Sequence, residues 1–221
     1  WGIGGAKLYK ISSSTVTSDG NYPHTIDKGA VTGEDGESVV HYNGILYYFY
    51  NHSGSAGDIG KLTIATNTFD DDWGSTVPTG AASLANVAHP AILGGDGIIY
   101  FGNGPAVGYY DPVSNTLSTT ELDLNSDVDV VDLVWEKDVL TIATNNPNIA
   151  TGNSNNGVLY TWNTVANSFQ EPIIEVPGRI GSVIKKNGRI FVFYQDLSDS
   201  AFKLGYVLGD TVQELASFSG S

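Results

Sequence analysis

Apolar and polar stretches alternate along the chain in a fixed order: an apolar run, a tight polar turn, then a second and more apolar run. Four segments follow it. Residues 39–42 lead through Asn43-Gly44 into 45–50, and 91–93 through Asp96-Gly97 into 98–101. Residues 134–135 lead through Lys137-Asp138 into 139–143, and 183–184 through Asn187-Gly188 into 189–194. Asn-Gly and Asp-Gly between apolar runs are strong hairpin signals, because both turn residues need positive φ. These turns recur 53, 41 and 50 residues apart.

A second hairpin follows each of the four. Residues 61–64 lead through Thr66-Asn67 to Phe69, and 107–110 through Ser114-Asn115 to Leu117. Residues 158–162 lead through Ala166-Asn167 to Phe169, and 204–207 through Gly209-Asp210 to Val212. A fifth copy of this second hairpin opens the chain, with residues 7–11, Ser13-Ser14 and Val16. Four strands per unit of ~40–50 residues is the mark of a β-propeller. The predicted fold is all-β, with four-stranded antiparallel blades over 37–73, 89–124, 130–173 and 180–218. Residues 1–21 form the outer hairpin of an incomplete blade, which makes about 4.5 blades of a five- to seven-bladed ring. The second strand of each unit is nearly all apolar, as in Ile45-Leu46-Tyr47-Tyr48-Phe49-Tyr50. A strand buried on both faces between neighbouring blades has that texture. A β-sandwich, the rival architecture, leaves the repeated order of hairpin types unexplained.

Composition agrees with this reading. Gly, Ser, Thr and Asn account for 82 of 221 residues and only 15% are charged, a mixture that favours turns and strands over helices. There is no Cys, which removes disulfides, thiolate metal sites and catalytic thiols. The chain also lacks Met and begins at Trp1, so the expectation is a segment of a longer polypeptide or a processed product. No apolar run approaches the ~20 residues of a membrane-spanning helix. A net charge of −14, with ten Lys and Arg in all, makes nucleic acid a poor partner.

In outline the units resemble kelch- or WD-type propellers, without their repeated motifs. Four stretches (residues 42–47, 51–58, 69–74 and 203–207) resemble uncharacterised propeller proteins of tailed phages and environmental viruses. That resemblance implies a virion- or tail-associated structural role, with other subunits of an assembly, and carbohydrate, as partners and a virion or extracellular location. It implies nothing about catalysis.

In a propeller, the loops joining blades and those joining second and third strands open on one face, and long polar loops carry function. Here these are 22–38, 51–58, 73–88, 103–106, 145–156 and 195–201, with Tyr22, His52, Asp58, Trp73, Asn103 and Asn146 as contact candidates. Aligning the first strands places Glu37, His89, Asp132 and Arg179 around the mouth of the central channel. Such a ring could bind a sugar, an ion or water, or simply line a wet channel. Its layout also resembles the acid clusters of five-bladed glycosidases, which makes Glu37 and Asp132 an alternative catalytic pair. Those enzymes need two carboxyls ~5–5.5 or ~6.5–9.5 Å apart.

Calcium is the one cofactor suggested, by Asp70-Asp71-Asp72 and by Asp127 with Asp129. Neither run completes a calcium loop. His24, His41, His52 and His89 are too dispersed for zinc. Trp135 and Trp162 fall inside strands and read as core, whereas Trp73 and Tyr22 sit at strand–loop junctions where rings can stack on sugars. No phosphate loop, nucleophile elbow or dinucleotide fingerprint is present. The expected function is therefore a non-enzymatic structural or binding propeller that contacts protein or glycan, with a lectin-like propeller as the alternative.

Overall fold

The computed structural model describes residues 2–4, 7–12, 15–17, 24–25, 34–52, 55–70, 73–76, 78, 84–85, 87, 89–124, 127–146 and 157–218. The chain opens with β1 (Gly2–Gly4), β2 (Lys7–Ser12), β3 (Thr15–Thr17) and β4 (His24–Thr25), where β2 pairs with each of the other three. Four regular sheets come next. The first holds β5 (Glu34–Tyr42), β6 (Ile45–His52), β7 (Ser55–Thr63) and β8 (Thr68–Asp70), and is followed by the one-turn helix α1 (Trp73–Thr76). The second holds β9 (Ala91–Leu93), β10 (Ile99–Asn103), β11 (Ala106–Asp111) and β12 (Thr116–Asp123). The third holds β13 (Asp129–Glu136), β14 (Val139–Asn145), β15 (Gly157–Asn163) and β16 (Ser168–Val176). The fourth holds β17 (Arg179–Lys186), β18 (Arg189–Gln195), β19 (Phe202–Leu208) and β20 (Thr211–Phe218). Each is an antiparallel meander in chain order, and the first strands of successive sheets lie against one another. Stacked meanders with their first strands innermost are the blades of a β-propeller. Among the described residues no helix is long and apolar enough to cross a membrane.

The turn chemistry explains the hairpins. Asn43 and Gly44 have φ of 47° and 78°, Lys137 and Asp138 50° and 62°, and Asn187 and Gly188 54° and 76°. Two successive positive φ values match the twist of the flanking strands. The Asp96-Gly97 turn differs. Only Gly97 has positive φ, and Leu93 pairs with Ile99 across five intervening residues. Gly94 and Gly95 lengthen this connection, so the sequence reading of a two-residue turn is corrected there.

The first strands β5, β13 and β17 each carry a register shift, after Gly36, Val130 and Ile180. One extra residue at that point bends the strand and re-aims the side chains beyond it. The shift sets which side chains face the neighbouring sheet.

Apolar faces meet in four seams. Leu8 of β2 packs with Leu46, Tyr48, Tyr50 and Leu62. Tyr47, Phe49 and Ile59 of the first regular sheet meet Ile99, Phe101 and Tyr110 of the second. Tyr100, Val107 and Leu122 meet Val130, Leu133, Leu140 and Ile142, while Ala143, Leu159 and Ile174 meet Ile180, Val183, Ile190 and Val192. By register, Phe49, Gly102, Ala143 and Phe193 are equivalent: each lies on the second strand, facing away from the preceding sheet. The first three are buried; Phe193 is 40% exposed and stacks on Phe202, itself 42% exposed. Gly102 is small for a reason, since a Cβ there would lie 2.9 Å from Val130 of the next blade.

Candidate functional site

The innermost strands are held together by side chains that reach one blade onward. Ser38, Asp132 and Ser182 are the residues immediately after each bulge, opposite Phe49, Ala143 and Phe193. Ser38 Oγ accepts a hydrogen bond from Ala91 N at 3.2 Å. Asp132 Oδ2 accepts from Val183 N at 2.8 Å and from Ser182 Oγ at 2.9 Å, while Oδ1 accepts from Leu133 N at 2.9 Å. Asn145, at the end of β14, brackets the next blade's first strand: Oδ1 accepts from Ile180 N and Nδ2 donates to Ile180 O, both at 2.8 Å. One seam earlier, the Gly104 carbonyl does the same work, accepting from Val130 N at 2.8 Å. Val130, Ile180 and Val183 are buried, and an unmet donor on such a residue costs ~1–3 kcal/mol.

This register corrects the four-residue ring expected at the channel mouth. Glu37 occupies the bulge of β5, and His89, just before Pro90, is its counterpart. Asp132 stands one position later, and Arg179 two positions earlier than the equivalent bulge residue Gly181. The bulge falls six residues before the turn in β5, β13 and β17 alike, whereas Asp132 stands five and Arg179 eight residues before theirs, so the four do not form one tier. Glu37 is placed by its backbone alone, and Arg179 is exposed at the first position of β17. His89 is buried, with Nδ1 2.9 Å from Gly102 O and Nε2 2.9 Å from Ala85 O. Burial pushes its pKa down, against the pull of the two carbonyls. His89 thus ties the segment before β9 to β10.

The loop-face candidates divide in the same way. Tyr22 lies outside the described residues, and His52 is placed only as the last residue of β6. Asp58 and Trp73, expected as surface contacts, are both buried. The Asp58 carboxylate accepts from Ile59 N at 2.7 Å, beside α1. Trp73 folds back from α1 into the seam, its ring 5.2 Å from Tyr47 and 4.9 Å from Tyr110, with Lys61 Nζ 5.4 Å from its centroid. Burying a large ring outweighs leaving it at the loop surface. Asn103 is structural, accepting from Ala85 N at 2.7 Å and donating to Thr119 O at 3.2 Å. Asn146 is half-buried after β14. Asp71 and Asp72 lie outside the described residues, and among those described no three His, Asp or Glu side chains converge as metal ligands.

One charged cluster was not anticipated. In and beside the loop between β18 and β19, Lys203 Nζ lies 2.7 Å from Asp196, 3.3 Å from Asp199 and 3.4 Å from Glu214. The ammonium of Lys203, then the Ser198 hydroxyl and amide, hold the Asp196 carboxyl down to about 2. The cluster orders a loop, and three carboxylates around one ammonium leave it net negative, with Asp199 and Glu214 half-exposed. Asn145 lies seven residues past the second turn residue of its hairpin, as does Gln195, but Gln195 Nε2 donates to Ser200 O in its own loop, so the position alone does not mark a clasp.

No protein-family model matches the chain, and no curated protein does. Solved structures do match. The extracellular domain of a one-component-system protein from B. thetaiotaomicron is 14% identical over 96% of this chain, with a TM-score of 0.63. This chain spans a quarter of that protein's length, 25%. An acylaminoacyl peptidase from Pyrococcus horikoshii is 11% identical over 82% of this chain and 32% of its own, with a TM-score of 0.52. An α-L-arabinofuranosidase from Clostridium thermocellum is 16% identical over 86% of this chain and 74% of its own, with a TM-score of 0.48. At such identities the likeness is one of fold alone.

Proposed function

We propose that this chain is a binding segment of a β-propeller, without catalytic chemistry of its own. It works in an extracellular or virion-type assembly by contacting protein or glycan. The observation carrying this reading is the engagement of Asp132. Both oxygens of its carboxylate accept hydrogen bonds, from Leu133 N on one side and from Val183 N and Ser182 Oγ on the other. A glycosidase acid or nucleophile must exchange a proton or a sugar at that carboxylate. A group engaged in clasping two blades is poorly placed for either. The extracellular neighbour supports the setting, and the acidic charge supports a soluble surface unsuited to nucleic acid.

The test uses the intact chain against a panel of aryl furanosides and pyranosides. Release of the aryl group at the rate of buffer alone is expected, and Glu37→Gln and Asp132→Asn should be indistinguishable from the parent. Turnover by the parent that both substitutions abolish would overturn the binding reading in favour of a glycosidase.

A further inference from the structure

We propose that the seam between the second and third regular sheets is a binding site for a neutral sugar ring, an inference that rests on the binding reading above and gives it a place. The seam opens into a cleft of about 330 Å³ that Tyr100, Tyr109 and Trp162 help to line. That volume falls within the ~300–1,000 Å³ of small-ligand sites.

The repeat itself shows what such a gap accepts. Tyr47 pairs with Lys61 across β6 and β7, as Tyr100 pairs with Tyr109 across β10 and β11. On the facing sheets, Tyr110 is opposite Ile99 and Trp162 is opposite Leu140, again equivalent places. Tyr100, Tyr109 and Trp162 are therefore the counterparts of Tyr47, Lys61 and Tyr110, the three side chains that surround the Trp73 ring one seam earlier. The fourth strands complete the correspondence. Asp70 pairs with Lys61 and Ser118 with Tyr109, so Glu121 stands three residues past Ser118 as Trp73 stands three past Asp70. In the first seam the chain leaves the sheet there and inserts an indole. In the second, β12 runs on to Asp123, and a carboxylate lines the opening instead.

The chemistry of the cleft narrows the occupant. Aromatic side chains suit the apolar C–H face of a sugar. Glu121, Asp111 and Asn167 also line the opening and suit its hydroxyls. Asp111 is kept ionised by hydrogen bonds from Ser114 Oγ at 2.6 Å and Val113 N at 2.8 Å, which hold its carboxyl below the usual range. Among the described residues no Lys or Arg lines the cleft, so an acidic sugar finds no counter-charge there. An indole from a partner protein has a single N–H and would leave most of these polar groups desolvated without a partner. A small organic cation would use the rings and carboxylates but not the amide.

The test is saturation-transfer NMR on the intact chain with the methyl pyranosides of glucose, galactose and mannose at millimolar concentration. Choline, indole and N-acetylneuraminic acid serve as contrasts. Transfer to at least one neutral pyranoside is expected. Glu121→Trp, which fills the gap rather than enlarging it, should weaken that binding at least tenfold with the melting temperature held or raised. Trp162→Ala should weaken it as well, and Trp162→Phe should restore part of it. Sugar binding that survives Glu121→Trp overturns the cleft assignment and leaves the binding reading intact. Binding of choline, indole or the acidic sugar in place of the pyranosides overturns the neutral-sugar assignment, and binding of no probe overturns the site. Glycoside turnover in the earlier assay is the separate failure of the binding reading.

Discussion

Phe49→Ala should destabilise the chain by about 3–5 kcal/mol, the range for truncating a fully buried Phe. Phe193→Ala, at the same register of the fourth regular sheet, should cost less than about 1 kcal/mol. The difference lies in what each ring meets. Phe49 is completely buried, its ring 5.2 Å from Phe101 across the seam, in a cluster with Val40, Ile59 and Ile99. Phe193 keeps 40% of its surface exposed and stacks mainly on Phe202 of its own sheet. Urea unfolding should show the midpoint falling for Phe49→Ala with an unchanged slope, and barely moving for Phe193→Ala. Equal losses would mean that the Phe193 ring is covered as fully as that of Phe49, contrary to its 40% exposure.

Gly60→Ala is the second large effect, about 3 kcal/mol of overpacking. Gly60 pairs with Tyr48 across β6 and β7, and a Cβ at Gly60 would overlap the Tyr48 ring. That ring cannot retreat. It is fully buried, lies 5.3 Å from Phe69 and nearly parallel to it, and stacks at 6.0 Å on Tyr50. The same pairing recurs at Gly108, whose added Cβ would sit 2.5 Å from the Phe101 ring. Pairing Gly60→Ala with Tyr48→Leu should recover a large part of the loss, because the shorter side chain vacates the space. A double-mutant cycle with no coupling between the two positions would contradict this packing.

The legible parts of the fold are those where backbone geometry restricts residue choice. Asn43-Gly44 and Asn187-Gly188 announced their turns because few residues tolerate positive φ. The doubly buried second strands announced themselves by apolar runs such as Ile45 to Tyr50. The bulges did not. They are carried by residues as unlike as Glu37, Val131 and Gly181, so no residue type marks the tier, and Asp132 and Arg179, one position after and two before it, were grouped by their polarity instead. One tryptophan departs from its expected role for a tertiary reason. Trp73, beside a loop, is drawn into the first seam, while Trp162, inside β15, packs against the core of the next seam and also lines its cleft. Which seam receives a plug depends on where the outer strand ends, after Asp70 in one blade and after Asp123 in the next. Local pattern carries no such information.

The clasps between innermost strands add directional bonds to the apolar seams that join successive meanders, and Asp132 offers the most direct view of them. Native-state hydrogen exchange can follow the amides of Val183 and Ile180 individually. The first donates to Asp132 and the second to Asn145. In Asp132→Ala, exchange at Val183 should accelerate at least tenfold, while Ile180 and the amides of β14 keep their protection. Val183 protection unchanged by Asp132→Ala would contradict the clasp, and with it the role of Asp132 in joining the third and fourth regular sheets.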